Sequence, residues 1–159
     1  MFSSVAGLSV LPHSWAVIPP DLNISRHAEV LLSVDSTIYT VDNLENVDQR
    51  LSQGPFTHIS PSPNGKSLAL LTFSGSLLVV STDFQRTMAE FDTTAVPGAE
   101  GPVKQVEWCG NDAIVVIWDT IVVLVGPFAD TIQWVPPSRT LPLSLTRLTG
   151  ITTPALHSP

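Results

Sequence analysis

From Glu29 onward the apolar residues fall in short β-branched runs broken by turn-forming residues, and no stretch keeps apolar positions at helical spacing for three turns. The pattern predicts a mostly β chain. Glu29–Val34 and Thr37–Val41 flank Asp35-Ser36 and predict a hairpin, with Ile38 and Tyr39 alternating as a half-buried strand requires. Asn43–Ser52 follows as a polar connector. In it Leu44, Val47 and Leu51 sit three and four apart, a spacing that suits a helical turn or two linking sheets.

The next unit is clearer. Phe56–Ser60, Ser67–Phe73, Ser76–Ser81 and Arg86–Phe91 read as strands, separated by Pro61-Ser62-Pro63-Asn64-Gly65, Ser74-Gly75 and Asp83-Phe84-Gln85. Asn64-Gly65 is expected to supply the positive φ angles of a tight hairpin, with proline fixing the way in. Four antiparallel strands in about 36 residues is the size of one propeller blade. After a Gly- and Pro-rich loop, Thr93–Pro102, the unit begins again with Val103–Trp108, Ala113–Trp118 and Ile121–Val125. Leu68-Ala69-Leu70 and Ile114-Val115-Val116 hold equivalent places 46 residues apart, within the range of propeller repeats. The sum is an all-β partial β-propeller of about two and a half blades, between two and three. Ring closure takes at least about four blades, so this length cannot close one. Ile121–Val125 is then expected at a sheet edge, with unpaired backbone groups that favour aggregation.

Composition narrows the function classes. The chain has 159 residues, enough for one domain, with 43% apolar and 13% charged residues, too apolar for a disordered acidic tail. Seven basic residues against fourteen acidic give a net charge of -7, and no run of Lys or Arg exists to meet phosphate, which sets nucleic acid aside. Cys109 is the single cysteine, so neither an internal disulfide nor a multi-cysteine zinc module is possible; a reducing compartment fits. Met1–Pro20 lacks the basic start and continuous apolar stretch of a signal peptide. Ala113–Phe128 is too short for a membrane helix and carries Asp119, so buried strands explain it better. Every acidic residue lies between Asp21 and Asp130, whereas Trp134–Pro159 holds only Arg139 and Arg147 as charges, and five prolines. That tail differs in kind from the body.

Candidate chemistry is thin. His13, His27, His58 and His157 lack the spacing and cysteine companions of a metal site. Ser62, His58 and Asp83 could be strung together as nucleophile, base and orienter, but Ser62 stands between prolines without a glycine elbow and reads as a turn serine. Cys109 follows Trp108 at the end of an apolar strand with no basic neighbour, the setting of an inert thiol. Trp118-Asp119 imitates the WD dipeptide but precedes a third strand instead of closing one. Asp35, Asp42, Glu45 and Asp48 form an acidic cluster that reads as a solvated rim and disfavours direct docking on anionic lipid.

Several strings in order, Gly54-Pro55-Phe56-Thr57-His58-Ile59, Ser62-Pro63-Asn64-Gly65-Lys66, Ser81-Thr82-Asp83-Phe84, Val106-Glu107-Trp108-Cys109-Gly110-Asn111-Asp112-Ala113 and Val125-Gly126-Pro127-Phe128, resemble the amino-terminal propeller of the vacuolar protein sorting-associated protein 16 family. The resemblance covers roughly residues 15–133. It implies a non-enzymatic scaffold subunit of the HOPS and CORVET complexes, which tether endosomal and vacuolar or lysosomal membranes from the cytoplasmic side. It also implies partners among the other tethering subunits, with membrane contact indirect. In that family a carboxy-terminal α-solenoid, which has no counterpart in this sequence, grips a Sec1/Munc18-type subunit. No catalytic, cofactor-binding or metal residue is carried over, and the partner-binding residues stay open. The expected division is an extension over 1–14, the partial propeller over 15–133, and over 134–159 a disordered or out-of-frame Pro-rich tail.

Overall fold

The computed structural model describes residues 10–126 and 130–135, which form twelve β-strands and no α-helix. Blade 1 is β1 (Ser14–Ile18), β2 (Glu29–Val34), β3 (Thr37–Val41) and β4 (Asn46–Asp48). Blade 2 is β5 (Phe56–Pro61), β6 (Ser67–Thr72), β7 (Ser76–Ser81) and β8 (Thr87–Asp92). Blade 3 is β9 (Gln105–Cys109), β10 (Ala113–Ile117), β11 (Val122–Val125) and β12 (Thr131–Trp134). Each blade is a four-stranded antiparallel meander in chain order, and the first strands β1, β5 and β9 lie side by side. The result is an arc of three complete blades, within the expected range of two to three.

Packing explains the apolar runs. Pairing sets Leu68, Leu70, Leu78 and Val80 on the face of blade 2 toward blade 1, where they pack with Ala16, Ile18, Leu31, Ile38 and Phe56. Ala69, Leu71 and Leu77 point the other way, against Val106, Ile114, Val116, Val123 and Val125 of blade 3. A strand buried on both faces loses its polar alternation, as Leu68-Ala69-Leu70-Leu71 shows. Likewise Val115, Ile117 and Val122 are buried on the far face of blade 3, so the apolar run from Ala113 is two strands of a sheet.

Four expectations change. β1, overlooked because it lies ahead of the apolar run at Glu29, pairs with β2 from Ser14↔Ser33 to Ile18↔Glu29 and completes blade 1. The expected helical turn near Val47 is instead β4, held by Thr40↔Val47 pairing and by Gln49 Nε2 donating to Thr40 Oγ1 at 2.9 Å. β11 is no edge strand: Val122–Val125 pairs in full with Thr131–Trp134, so the edge, and the aggregation argument built on it, moves to β12, which reaches one residue past the expected boundary. Asn64 does not take positive φ; only Gly65 does, and the carboxamide of Asn64 instead accepts from Ser62 Oγ at 2.7 Å and from Lys66 N at 3.0 Å. Residues 136–159 and most of the 1–14 extension lie outside the described residues.

Phe56 and Phe73 test this packing. Phe56 is fully buried between blades 1 and 2, whereas Phe73 is 80% exposed. Phe56→Ala is expected to lower unfolding free energy by about 3–5 kcal/mol, and Phe73→Ala to stay within about 0.5 kcal/mol of the parent, read from urea midpoints.

Candidate functional site

The blades are joined by a few directed bonds as well as by apolar contact. Ser14 Oγ donates to the Phe56 carbonyl at 2.6 Å, and Phe56 N–H donates to Ser33 Oγ at 3.1 Å. Gly54 N–H reaches the Ser36 carbonyl at 3.0 Å, an approach so close that a Cβ at Gly54 would stand 2.7 Å from Ser36 backbone atoms. Between blades 2 and 3, Trp108 Nε1 donates to the Ser60 carbonyl at 2.7 Å, and Asn64 N–H donates to Asn111 Oδ1 at 3.0 Å. The Trp108 to Asp112 string that carries the family resemblance is thus a clamp on the neighbouring blade. Its role follows from two polar tips placed at a blade joint.

Two concave surfaces open along that joint. One is a groove of about 370 Å³ edged by Thr57, His58, Phe73, Thr93, Pro102 and Trp118. The other is a cleft of about 210 Å³ between the outer part of blade 2 and blade 3, with mostly apolar walls. Blade 1 also presents an apolar face away from blade 2, where Trp15 is 65% and Val17 44% exposed.

The residues singled out for chemistry do not converge. Ser62 is buried in its turn, donating to Asn64 Oδ1 and accepting from Ser67 N–H at 3.0 Å. Asp83 accepts from Ser81 Oγ, and His58 Nδ1 lies 3.0 Å from Thr57 Oγ1, so the three are engaged with separate neighbours. Cys109 is half-buried beside Val115, Ile117 and Val122. Trp118 is buried in the core, while exposed Asp119 lies 3.5 Å from Lys104 Nζ, a surface pair of little energetic weight. His13 and His27 are exposed, and His157 lies outside the described residues. No group of three His, Cys, Asp or Glu side chains that could hold a metal occurs among the described residues.

The acidic cluster has a local explanation. Asp42 caps its turn by accepting from Leu44 and Glu45 N–H, and Asp48 accepts from Arg50 N–H and Thr37 Oγ1. Those bonds hold both carboxyls below their ordinary value, backbone donors leading in each case. The side-chain bond from Ser81 does the same for Asp83, and that from Thr94 for Asp92.

A sequence profile described as the Vps16 N-terminal region matches residues 4–148. The chain belongs to the Vps16 family. The match is wider at both ends than the 15–133 carried by the motifs. A probable vacuolar protein sorting-associated protein 16 homologue from Schizosaccharomyces pombe is 33% identical over 131 residues, covering 76% of this chain and 14% of that protein. A homologue from Dictyostelium discoideum is 32% identical over 108 residues, covering 67% of this chain and 12% of that protein. The Vps16-type chain described here therefore spans about one-seventh of the length of these curated relatives. Among solved structures, the WD40 repeats of RRP9 superpose with a TM-score of 0.56 at 13% identity, covering 80% of this chain and 40% of that one. That likeness is one of fold, and it is the propeller fold.

His58 gives this joint a pH dependence. Burial pushes the imidazole below its ordinary value of 6.5, against an opposing hydrogen bond to the Lys104 backbone. The unfolded chain then binds the proton more tightly, so stability is full above about pH 6.5 and falls as pH drops through the folded-state value. Below the ordinary carboxyl range the four lowered aspartates add a second loss of the same sign. Urea midpoints measured from pH 8 to pH 5 are expected to decline for the parent chain and to flatten in His58→Gln.

Proposed function

We propose that this chain serves vacuolar protein sorting as a non-enzymatic β-scaffold within a membrane-tethering assembly of the HOPS or CORVET type. The observation that carries the reading is the family match across nearly the whole chain, together with relatives named for vacuolar protein sorting. The geometry supports it: Ser62 and Asp83 are absorbed in turns, and the surface offers grooves, edges and an apolar sheet face. Such features suit protein partners.

The partners proposed are the other subunits of the assembly, with a Sec1/Munc18-type subunit engaged through parts of Vps16 outside the residues matched here. The place of action is the cytoplasmic side of endosomal and vacuolar membranes. Contact with the bilayer runs through those subunits, because the described residues carry fourteen acidic against five basic side chains and an anionic lipid surface recruits polybasic segments. No helix among the described residues is long and apolar enough to cross a membrane.

A chimera tests the reading. In Schizosaccharomyces pombe lacking its own homologue, that homologue with the matching segment replaced by residues 14–134 of this chain is expected to restore sorting of a vacuolar hydrolase. Secretion of the hydrolase despite normal chimera abundance would sink the sorting role. Loss of the other tethering subunits from the purified chimera, with sorting intact, would sink the scaffold role alone.

A further inference from the structure

β8 is the outer strand of blade 2, and no strand lies beyond it among the described residues. At six residues it is longer than the other outer strands, β4 with three and β12 with four. Its outward backbone N–H and C=O groups form a template for another strand. Natural edges are commonly guarded by lysine, proline, other charges or bulges; Thr87-Met88-Ala89-Glu90-Phe91-Asp92 has no lysine or proline, and its two carboxylates and the irregularity at Met88 select against acidic or unmatched strands.

Pairing divides the side chains of β8 between two environments. Ala89 and Phe91 sit opposite Val79 and Leu77 and face blade 3, whereas Glu90 and Asp92 sit opposite Leu78 and Ser76 on the other face. The face with Ala89 and Phe91 forms one wall of the 210 Å³ cleft; Trp108, Ile114 and Val125 form the other, and Asp112 stands at the lip. Trp108 is fixed by its bond to Ser60, which keeps that wall rigid. Met88, at the irregularity in the β7–β8 register, is 50% exposed at the mouth and supplies an adaptable side chain. Small-molecule sites run to about 300–1,000 Å³, so a cleft of about 210 Å³ suits side chains instead.

We propose that the β8 edge and this cleft form a docking site for an extended basic peptide of a partner protein, which adds to blade 2 as a fifth strand. Residues paired with Ala89 and Phe91 share their face, so the peptide's alternate positions enter the cleft and must be apolar. The positions between them meet Glu90 and Asp92 and are lysine or arginine, the opposite-charge cross-strand pairing that stabilises a sheet. The site stands on this geometry alone and does not depend on the sorting role.

The test uses the 159-residue chain and a fluorescent octapeptide of alternating valine and lysine. Binding by anisotropy is expected, with amide exchange slowed across Thr87–Asp92. The variant Glu90→Lys, at an exposed position that leaves the Asp92 bonds to Thr94 intact, is expected to weaken binding about fivefold while leaving the urea midpoint in place. No binding, protection on the outer face of blade 1 in place of β8, or equal affinity for an alternating valine and glutamate peptide would each overturn the site.

Discussion

Burial of blade 2 on both faces is the interaction on which the remaining geometry depends. Leu68, Leu70 and Leu78 fill the contact with blade 1, while Leu71 and Leu77 fill the contact with blade 3. Each fully buried leucine contributes roughly 1.5–3 kcal/mol relative to exposure, so neither neighbour can leave without a large fraction of the stability typical of a domain. An isolated four-stranded sheet of this sequence would present two apolar faces to water. The blades therefore exist as a stack, and directed bonds such as Ser14 to Phe56 and Trp108 to Ser60 fix how the stack is aligned.

Turn chemistry supplies the second layer of order and absorbs most of what looked like functional chemistry. Ser62 with Asn64, and Ser81 with Asp83, close the connections into β6 and out of β7, side by side at one end of that pair, in the same way. In each, a serine hydroxyl donates two residues onward and accepts a backbone N–H from five residues onward. Asp42, Asp48 and Asp92 do related work with carboxylates. The acidity of the turns results without any need for a basic ligand to explain it, since, unlike Glu90 on the β8 edge, Asp42, Asp48 and Asp83 are placed by backbone donors. Their exposure keeps them solvated, and the same bonds make them hard to protonate.

The blade cores were legible in the sequence because β-branched runs and Gly or Asp turns are local signals. β6, β7 and β10 are found within a residue or two of their expected ends, and the 46-residue repeat identifies the unit. β1 and β4 were not legible, for opposite reasons. Trp15 and Val17 carry the apolar residues of β1 outward, so Ser14–Ile18 has little visible alternation. β4 is three residues long, too short to show alternation, and Leu44, Val47 and Leu51 fall by chance at helical spacing, which masks the local hairpin with β3. β12 was hidden by the change of composition at Trp134, although Thr131-Ile132-Gln133-Trp134 alternates as an edge strand should. Of the candidate surfaces, the string Trp108–Asp112 was visible as a family motif, but its role in clamping blade 3 to Ser60 and Asn64 needs partners nearly fifty positions away.

Faces and edges of this arc are suited to different kinds of contact. A sheet face recognises another sheet by apolar area, which is undirected and tolerant, and the outer face of blade 1 with Trp15 and Val17 is of the same chemical kind as the buried faces between blades. An edge imposes more. It fixes the direction and register of an added strand through the backbone, and sorts its residues into two alternating classes through the pleat. At β8 those classes meet an apolar cleft on one side and two carboxylates on the other. A partner must satisfy both at once, so selectivity resides at this edge, while the faces supply the stability that holds it in place.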